Sequence, residues 1–171
     1  MNLISYQELL SQLKESEIYN DWIKENSDSF LSHFFCQLDS EFNPKSEWEI
    51  GIYSNNKITV FVPIKQGFEL KPADEIFKKP NSEVEPLKVD DIKLDLDQAL
   101  NIFKENFPKF FAKEVLSDGF LILQTYNDKT VWNFTFITKQ IRFINLKVDA
   151  GSGEIVSHDT VNLVQQGHAN K

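Results

Sequence analysis

The C-terminal third of the chain constrains the fold most. From Gly119, the runs GFLILQTY, TVWNFTFIT, RFINLKVDA and GEIVSHDTVNLV follow one another with only short polar breaks between them. In the second run Trp132, Phe134 and Phe136 alternate with Asn133 and Thr135, the period of a strand with one buried face. Asn127-Asp128, between the first two runs, suits a hairpin turn. The break D-A-G-S-G-E is a hairpin loop with a bulge, in which Gly151 and Gly153 are both expected to supply positive φ.

A second hairpin lies upstream in EWEIGIYSNNKITVFVPI. Trp48, Ile50 and Ile52 alternate with Glu47, Glu49 and Gly51, Ile58, Val60, Val62 and Ile64 alternate with Thr59, Phe61 and Pro63, and Asn55-Asn56 suits the two-residue turn between them. The helical signals come before each hairpin. Ser5-Tyr6-Gln7-Glu8 has the form of a capping box, and Tyr6, Leu9, Leu10 and Leu13 share one stripe. Ile18, Tyr19, Trp22 and Ile23 mark a second helix over about 16–26. Ser27 or Ser29 is expected to cap a third, with Phe30, Leu31, Phe34, Phe35 and Leu38 on its apolar face. Asp95 and Gln98 form another capping box. Leu96, Ala99, Leu100, Phe103 and Phe107 follow, and the helix is expected to stop at Pro108. Between these parts, ADEIFKK reads as a short helix and KKPNSEVEPLKVDDIK as a connecting segment. QQGHANK reads as a frayed tail. A helix before each hairpin hints at an internal repeat, but residue identity between the halves is slight.

Composition excludes several classes. With 15 phenylalanines and 41% hydrophobic residues in 171, the chain can build a core and is not disordered. A net charge of −8 disfavours nucleic acid and anionic lipid as partners. The lone Cys36 permits neither an internal disulfide nor a multi-cysteine zinc site. No apolar run approaches the ~20 residues that span a bilayer. The N-terminus has neither a basic nor an apolar signal region, so the expected location is cytoplasmic, or extracytoplasmic if an export signal has been removed.

Candidate chemistry is sparse. Asp149 and Glu154 flank a glycine-containing loop, but Ala150 and Gly151 stand where calcium ligands should be, so local turn hydrogen bonding is the expected role of Asp149. His33 and Cys36, three apart on the expected third helix, could neighbour each other, yet Phe34, Phe35 and Leu38 around them argue for packing. His158 and His168 lie in a strand end and the tail. Asp90-Asp91 and Asp95 with Asp97 fall in a connector and a helix start, not in an apolar pocket that would separate their pKa values. Asn133-Phe134-Thr135 matches a glycosylation acceptor but sits inside an expected strand. Trp22, Trp48, Trp132 and the phenylalanines are expected to be mostly core, and any exposed remainder would mark a partner surface.

LDLDQALNIFKENF, LILQTY, VWNFTFIT and INLKVDAGSGEIVS together resemble a PepSY domain over about residues 90–160. The matching positions are Ala99-Leu100, then Trp132, Phe134 and Phe136, and then Val148-Asp149-Ala150 with Gly153-Glu154-Ile155; Ser152 stands where the family usually has threonine. The N-terminal half is similar in style to archaeal proteins carrying such a unit. The resemblance implies a small antiparallel sheet packed on a helix, related to half of a cystatin-like fold, and a family that acts through inhibitory or regulatory contacts without catalytic residues. The expected fold is therefore α+β: an antiparallel sheet of about five or six strands with helices mainly on one face, PepSY/cystatin-like. Residues 1–78 hold the N-terminal helices and hairpin, packed with the rest, 79–93 connect, 94–164 form the PepSY-like unit, and 165–171 are a tail. The expected function is a non-enzymatic, protein-binding or regulatory module, with no catalytic, cofactor-binding or metal residues and with another protein as partner. A cystatin-like small-molecule-binding protein or enzyme, with a pocket between sheet and helices, is the alternative. An acidic chaperone with an apolar groove is a third reading.

Overall fold

The computed structural model describes residues 2–75 and 83–163. Serines and an aspartate place the helices. Ser5 opens α1 (Tyr6–Glu15), its hydroxyl accepting from the Glu8 N–H at 3.2 Å. Ser16 closes α1 and opens α2 (Glu17–Glu25): its hydroxyl donates to the Leu13 carbonyl at 2.6 Å and accepts from the Tyr19 N–H at 3.4 Å. Asp95 and Gln98 form the full reciprocal box at the start of α3 (Leu96–Phe110), with bonds of 2.8 and 2.9 Å. The helix does not stop at Pro108. A proline in the final turn costs one ladder bond, and the Phe111 N–H still reaches the Phe107 carbonyl at 2.9 Å.

Eight strands follow the order β1 (Phe30–Leu38), β2 (Glu49–Ser54), β3 (Lys57–Pro63), β4 (Phe68–Glu75), β5 (Leu116–Tyr126), β6 (Lys129–Thr138), β7 (Arg142–Asp149) and β8 (Ile155–Asn162). They form one sheet, β4-β3-β2-β1-β5-β6-β7-β8, with every neighbouring pair antiparallel. The count exceeds the five or six expected because two segments read otherwise are strands. Residues 30–38 are β1 and not a helix: Ser32, Phe34, Cys36 and Leu38 are buried while Phe35 and Gln37 face the other way. Their apolar spacing fits a helical stripe as well as a two-sided strand, and pairing with β5 and β2 decides the matter. Residues 73–75 of the expected ADEIFKK helix belong to β4, and the remainder of that segment lies outside the described residues, as does the 165–171 tail.

The three described α-helices pack on one face of the sheet. Tyr6 of α1 meets Phe34, Trp48 and Trp132, with ring centroids 5.2, 6.5 and 6.1 Å away. Trp22 of α2 lies edge-on to Phe61 at 5.4 Å, and Phe103 of α3 sits 4.9 Å from Phe134 and 5.3 Å from Phe136. One continuous core therefore runs under both halves. Close packing also explains Gly119: a Cβ there would stand 2.4 Å from the Phe136 ring on the neighbouring strand.

The repeat exists, with different parts from those the sequence suggested. Each half is helix followed by a four-stranded antiparallel meander, and the halves join through their first strands, β1 and β5. A tryptophan and two apolar residues alternate at the second strand of each half, with Trp48 just before β2 and Ile50 and Ile52 within it, and Trp132, Phe134 and Phe136 within β6. Before each fourth strand a glycine adopts positive φ, Gly67 at 90° and Gly153 at 80°. Ahead of α3 the Leu87 N–H donates to the Leu31 carbonyl of β1 at 2.8 Å.

Candidate functional site

Alternation leaves the second face of the sheet with no described helix over it. Its side chains come from the strand positions between the core residues, so the register assigns them directly. On β3, β2, β1 and β5 these are mainly apolar. Phe30 stacks on Tyr53 with centroids 4.8 Å apart, Phe35 lies 5.6 Å from Phe120, and Ile58, Val60 and Ile122 continue the band. Phe35, Gln37, Asp118, Gly119, Phe120, Thr135 and Ile137 enclose a hollow of about 180 Å³ near the centre of the sheet. Asp118 pairs with Lys45 at one end of it. Ile137, Tyr126 and Val161 are among the most exposed large apolar residues of the molecule.

Toward β7 and β8 the same face turns polar. The Asn145 amide donates to Asn133 Oδ1 at 2.6 Å and to Thr135 Oγ1 at 2.9 Å, and Lys147 Nζ donates to Asn145 Oδ1 at 2.7 Å. The Lys147 ammonium also lies 4.7 Å from the centre of the Tyr126 ring. On the opposite side Lys71 Nζ meets Glu49 Oε1 at 2.5 Å. An apolar band between two polar margins is the anatomy of a contact surface.

His33 is set into this face through a missing side chain. A Cβ on Gly51 would stand 2.1 Å from its imidazole, so only glycine lets the ring lie across β2. Ser32 Oγ lies 3.0 Å from Nδ1, and burial pushes the imidazole pKa down to about 4. Cys36 faces the core instead. An odd separation along a strand puts two residues on opposite sides, so His33 and Cys36 are not the neighbours a helix would make them. The Cys36 Sγ lies 3.4 Å from the carbonyls of both Gln37 and Ser46, either of which can accept its single hydrogen, and burial raises its pKa to about 11. A neutral imidazole and a protonated thiol on opposite faces cannot act as a nucleophilic pair.

The other candidates are dispersed. Asp149 Oδ1 accepts from the Gly151 and Ser152 N–H groups at 2.8 and 3.0 Å, an Asx-type turn, and its carboxyl titrates below the usual range. Within that loop only Gly153 has positive φ; Gly151 does not, because the Asp149 side chain organises its turn. Asp90 and Asp91 lie in a single 3₁₀ turn, Val89–Asp91, whereas Asp95 caps α3 and Asp97 sits in its first turn. Asn133 is 9% exposed and bonded to Asn145. His158 stacks on Phe110 at 4.0 Å, and His168 lies outside the described residues. Among the described residues no three His, Cys, Asp or Glu side chains converge as a metal site would require. No described helix is long and apolar enough to cross a membrane. Misassigning β1 as a helix concealed Phe30, His33 and Phe35 as open-face residues; the alternation Phe34, Cys36, Leu38 was the available signal.

The architecture is thus α+β, with helices on one side of an antiparallel sheet and, among the described residues, no helix on the other. Residues 93–159 match the PepSY family, described as peptidase propeptide and YPEB domain. The C-terminal half of the chain, from the cap of α3 into β8, is therefore a PepSY-like unit. The crystal structure of a "putative lipoprotein" from Clostridium difficile 630 superposes with a TM-score of 0.49 at 16% identity, covering 84% of this chain and 90% of that one. No curated protein matches the chain.

Proposed function

We propose that the chain is a non-enzymatic binding module that captures another polypeptide on the open face of its sheet. The observation that carries this reading is the apolar band running across β3, β2, β1 and β5 with the hollow at its centre. Aromatic anchors in such hollows dominate the energetics of protein–protein contacts, and Phe35 and Phe120 are of that kind. The description of the matching family as a peptidase propeptide supports a regulatory contact, including inhibition of a partner enzyme. The net charge of −8 favours a partner whose contact surface is apolar at the centre and basic at its edge.

The test is a comparison of two baits. The intact chain and a Phe35→Ser/Phe120→Asp variant are used to capture proteins from a native lysate, and each captured partner is purified and titrated calorimetrically. A partner that binds the intact chain and loses roughly tenfold or more in affinity to the folded variant supports the reading. Equal affinity for both baits would overturn it.

A further inference from the structure

A second, separate feature lies on the helix side of the sheet. A cavity of about 460 Å³ opens between α1, α2 and the segment just before α3, within the size range of small-molecule sites. Its walls are part apolar and part polar. Leu10 comes from α1, Ile23 from α2, Leu87 and Val89 from the segment before α3, and Leu31 with Ile52 supplies the sheet side. We propose that this cavity binds a small amphipathic anion, an apolar chain ending in a carboxylate.

Four polar groups argue for an anionic head. Lys14 of α1 and Lys88 of the segment before α3 both line the cavity, and neither ammonium has a hydrogen-bond or ion-pair partner among the described residues. Tyr19 and Ser29 line it as well, and the hydroxyl of each lacks a partner among the described residues. Asp90 also lines the cavity, so the local charge is one positive in a chain that is −8 overall. Two unpaired lysines at a partly apolar opening of an acidic protein favour a carboxylate over a neutral or cationic head. Sequence placed them there economically. Leu10 and Lys14 are four apart on α1, as Tyr19 and Ile23 are on α2, so each helix turns both residues of its pair toward the same space. The inference goes beyond polypeptide capture and does not depend on it: Phe30 borders both features, but neither Phe35 nor Phe120 lines the cavity.

Isothermal titration calorimetry on the full chain tests it with three probes of equal chain length: decanoate, decanol and decyltrimethylammonium. Decanoate should bind saturably with a stoichiometry of one, and roughly tenfold or more tightly than the other two. Lys14→Met with Lys88→Met keeps both apolar stems and removes both charges, and should reduce decanoate to the affinity of decanol. Leu10→Trp, which fills the cavity, should abolish all binding. If that variant fails to fold, Val89→Phe on the surface segment takes its place. No saturable decanoate binding, equal affinity for the three probes, or undiminished binding by both the lysine variant and a folded cavity-filled variant would overturn the proposal. Any of these results would leave the two-bait comparison on the open face unaffected.

Discussion

Single residues in this molecule act through the backbone conformation and the space they permit. Gly153 has φ of 80°, and a Cβ there would stand 3.1 Å from Ile102 and 3.4 Å from Leu94. Gly153→Val should therefore cost about 1 kcal/mol or more, because a β-branched residue meets both the strained φ and the α3 side chain. A thermal melt reads this as a drop of several degrees, and an unchanged melting temperature would contradict the structural role given to the loop. His33 gives a pH signature. Its imidazole titrates near 6.5 when unfolded and at about 4 when folded, because burial disfavours the charged form. Above pH 6.5 both states are neutral and the residue has no effect on stability. As pH falls from 6.5 toward 4 the unfolded chain takes up the proton first, so stability is lost across that window, and the loss is complete below it. Urea melts at pH 7 and pH 5 should differ by roughly 1–2 kcal/mol from this residue, and His33→Gln should remove that difference. Asp39 and Asp149 titrate below the usual carboxylate range, so their own losses come at lower pH and do not mask the effect.

At the scale of elements, local chemistry was legible where it was redundant and illegible where two periods fitted equally. The Asp95–Gln98 box, the Asn55-Asn56 turn with φ of 52° and 63°, and the alternation in β6 each carry two agreeing signals, and each forms as read. FLSHFFCQL carries competing ones, since its phenylalanines fall on a helical stripe and on both faces of a strand. What resolved it was a partner strand 81 or more residues away, which no local window contains. The same limit hid the candidate site: the open face is assembled from strands of both halves, and β1 is its hinge between apolar and central positions. The capping box is the cleanest element to test. Asp95→Ala removes the acceptor for the Gln98 N–H and should destabilise the protein by about 1 kcal/mol. A chemical-denaturation midpoint that does not move would mean that α3 is held by Phe103 and its core neighbours without help from its cap.

For the whole molecule, the boundary of the family match and the boundary of cooperative structure are different things. The matched segment begins at Lys93, yet β5 pairs along its length with β1 from the other half. Trp132 is wholly buried, and two of its ring neighbours, Tyr6 and Trp48, at 6.1 and 6.4 Å, lie outside the matched segment. Cutting the chain before α3 would therefore strip one face of Trp132 and leave β5 as a long edge with unpaired backbone groups and apolar side chains beside it. The full chain should unfold as one cooperative step, with tryptophan fluorescence and far-ultraviolet circular dichroism giving coincident transitions. A fragment of residues 90–163 should not melt cooperatively as a monomer; it should either lack fixed structure or associate through the exposed β5 edge, as sedimentation would show. A monomeric fragment with a sharp melt, or two separated transitions in the full chain, would mean that each αββββ half is a domain in its own right and that β1·β5 pairing is an interface between finished folds. The wholly buried Trp132 argues against that outcome, because a finished half would have to close over it alone.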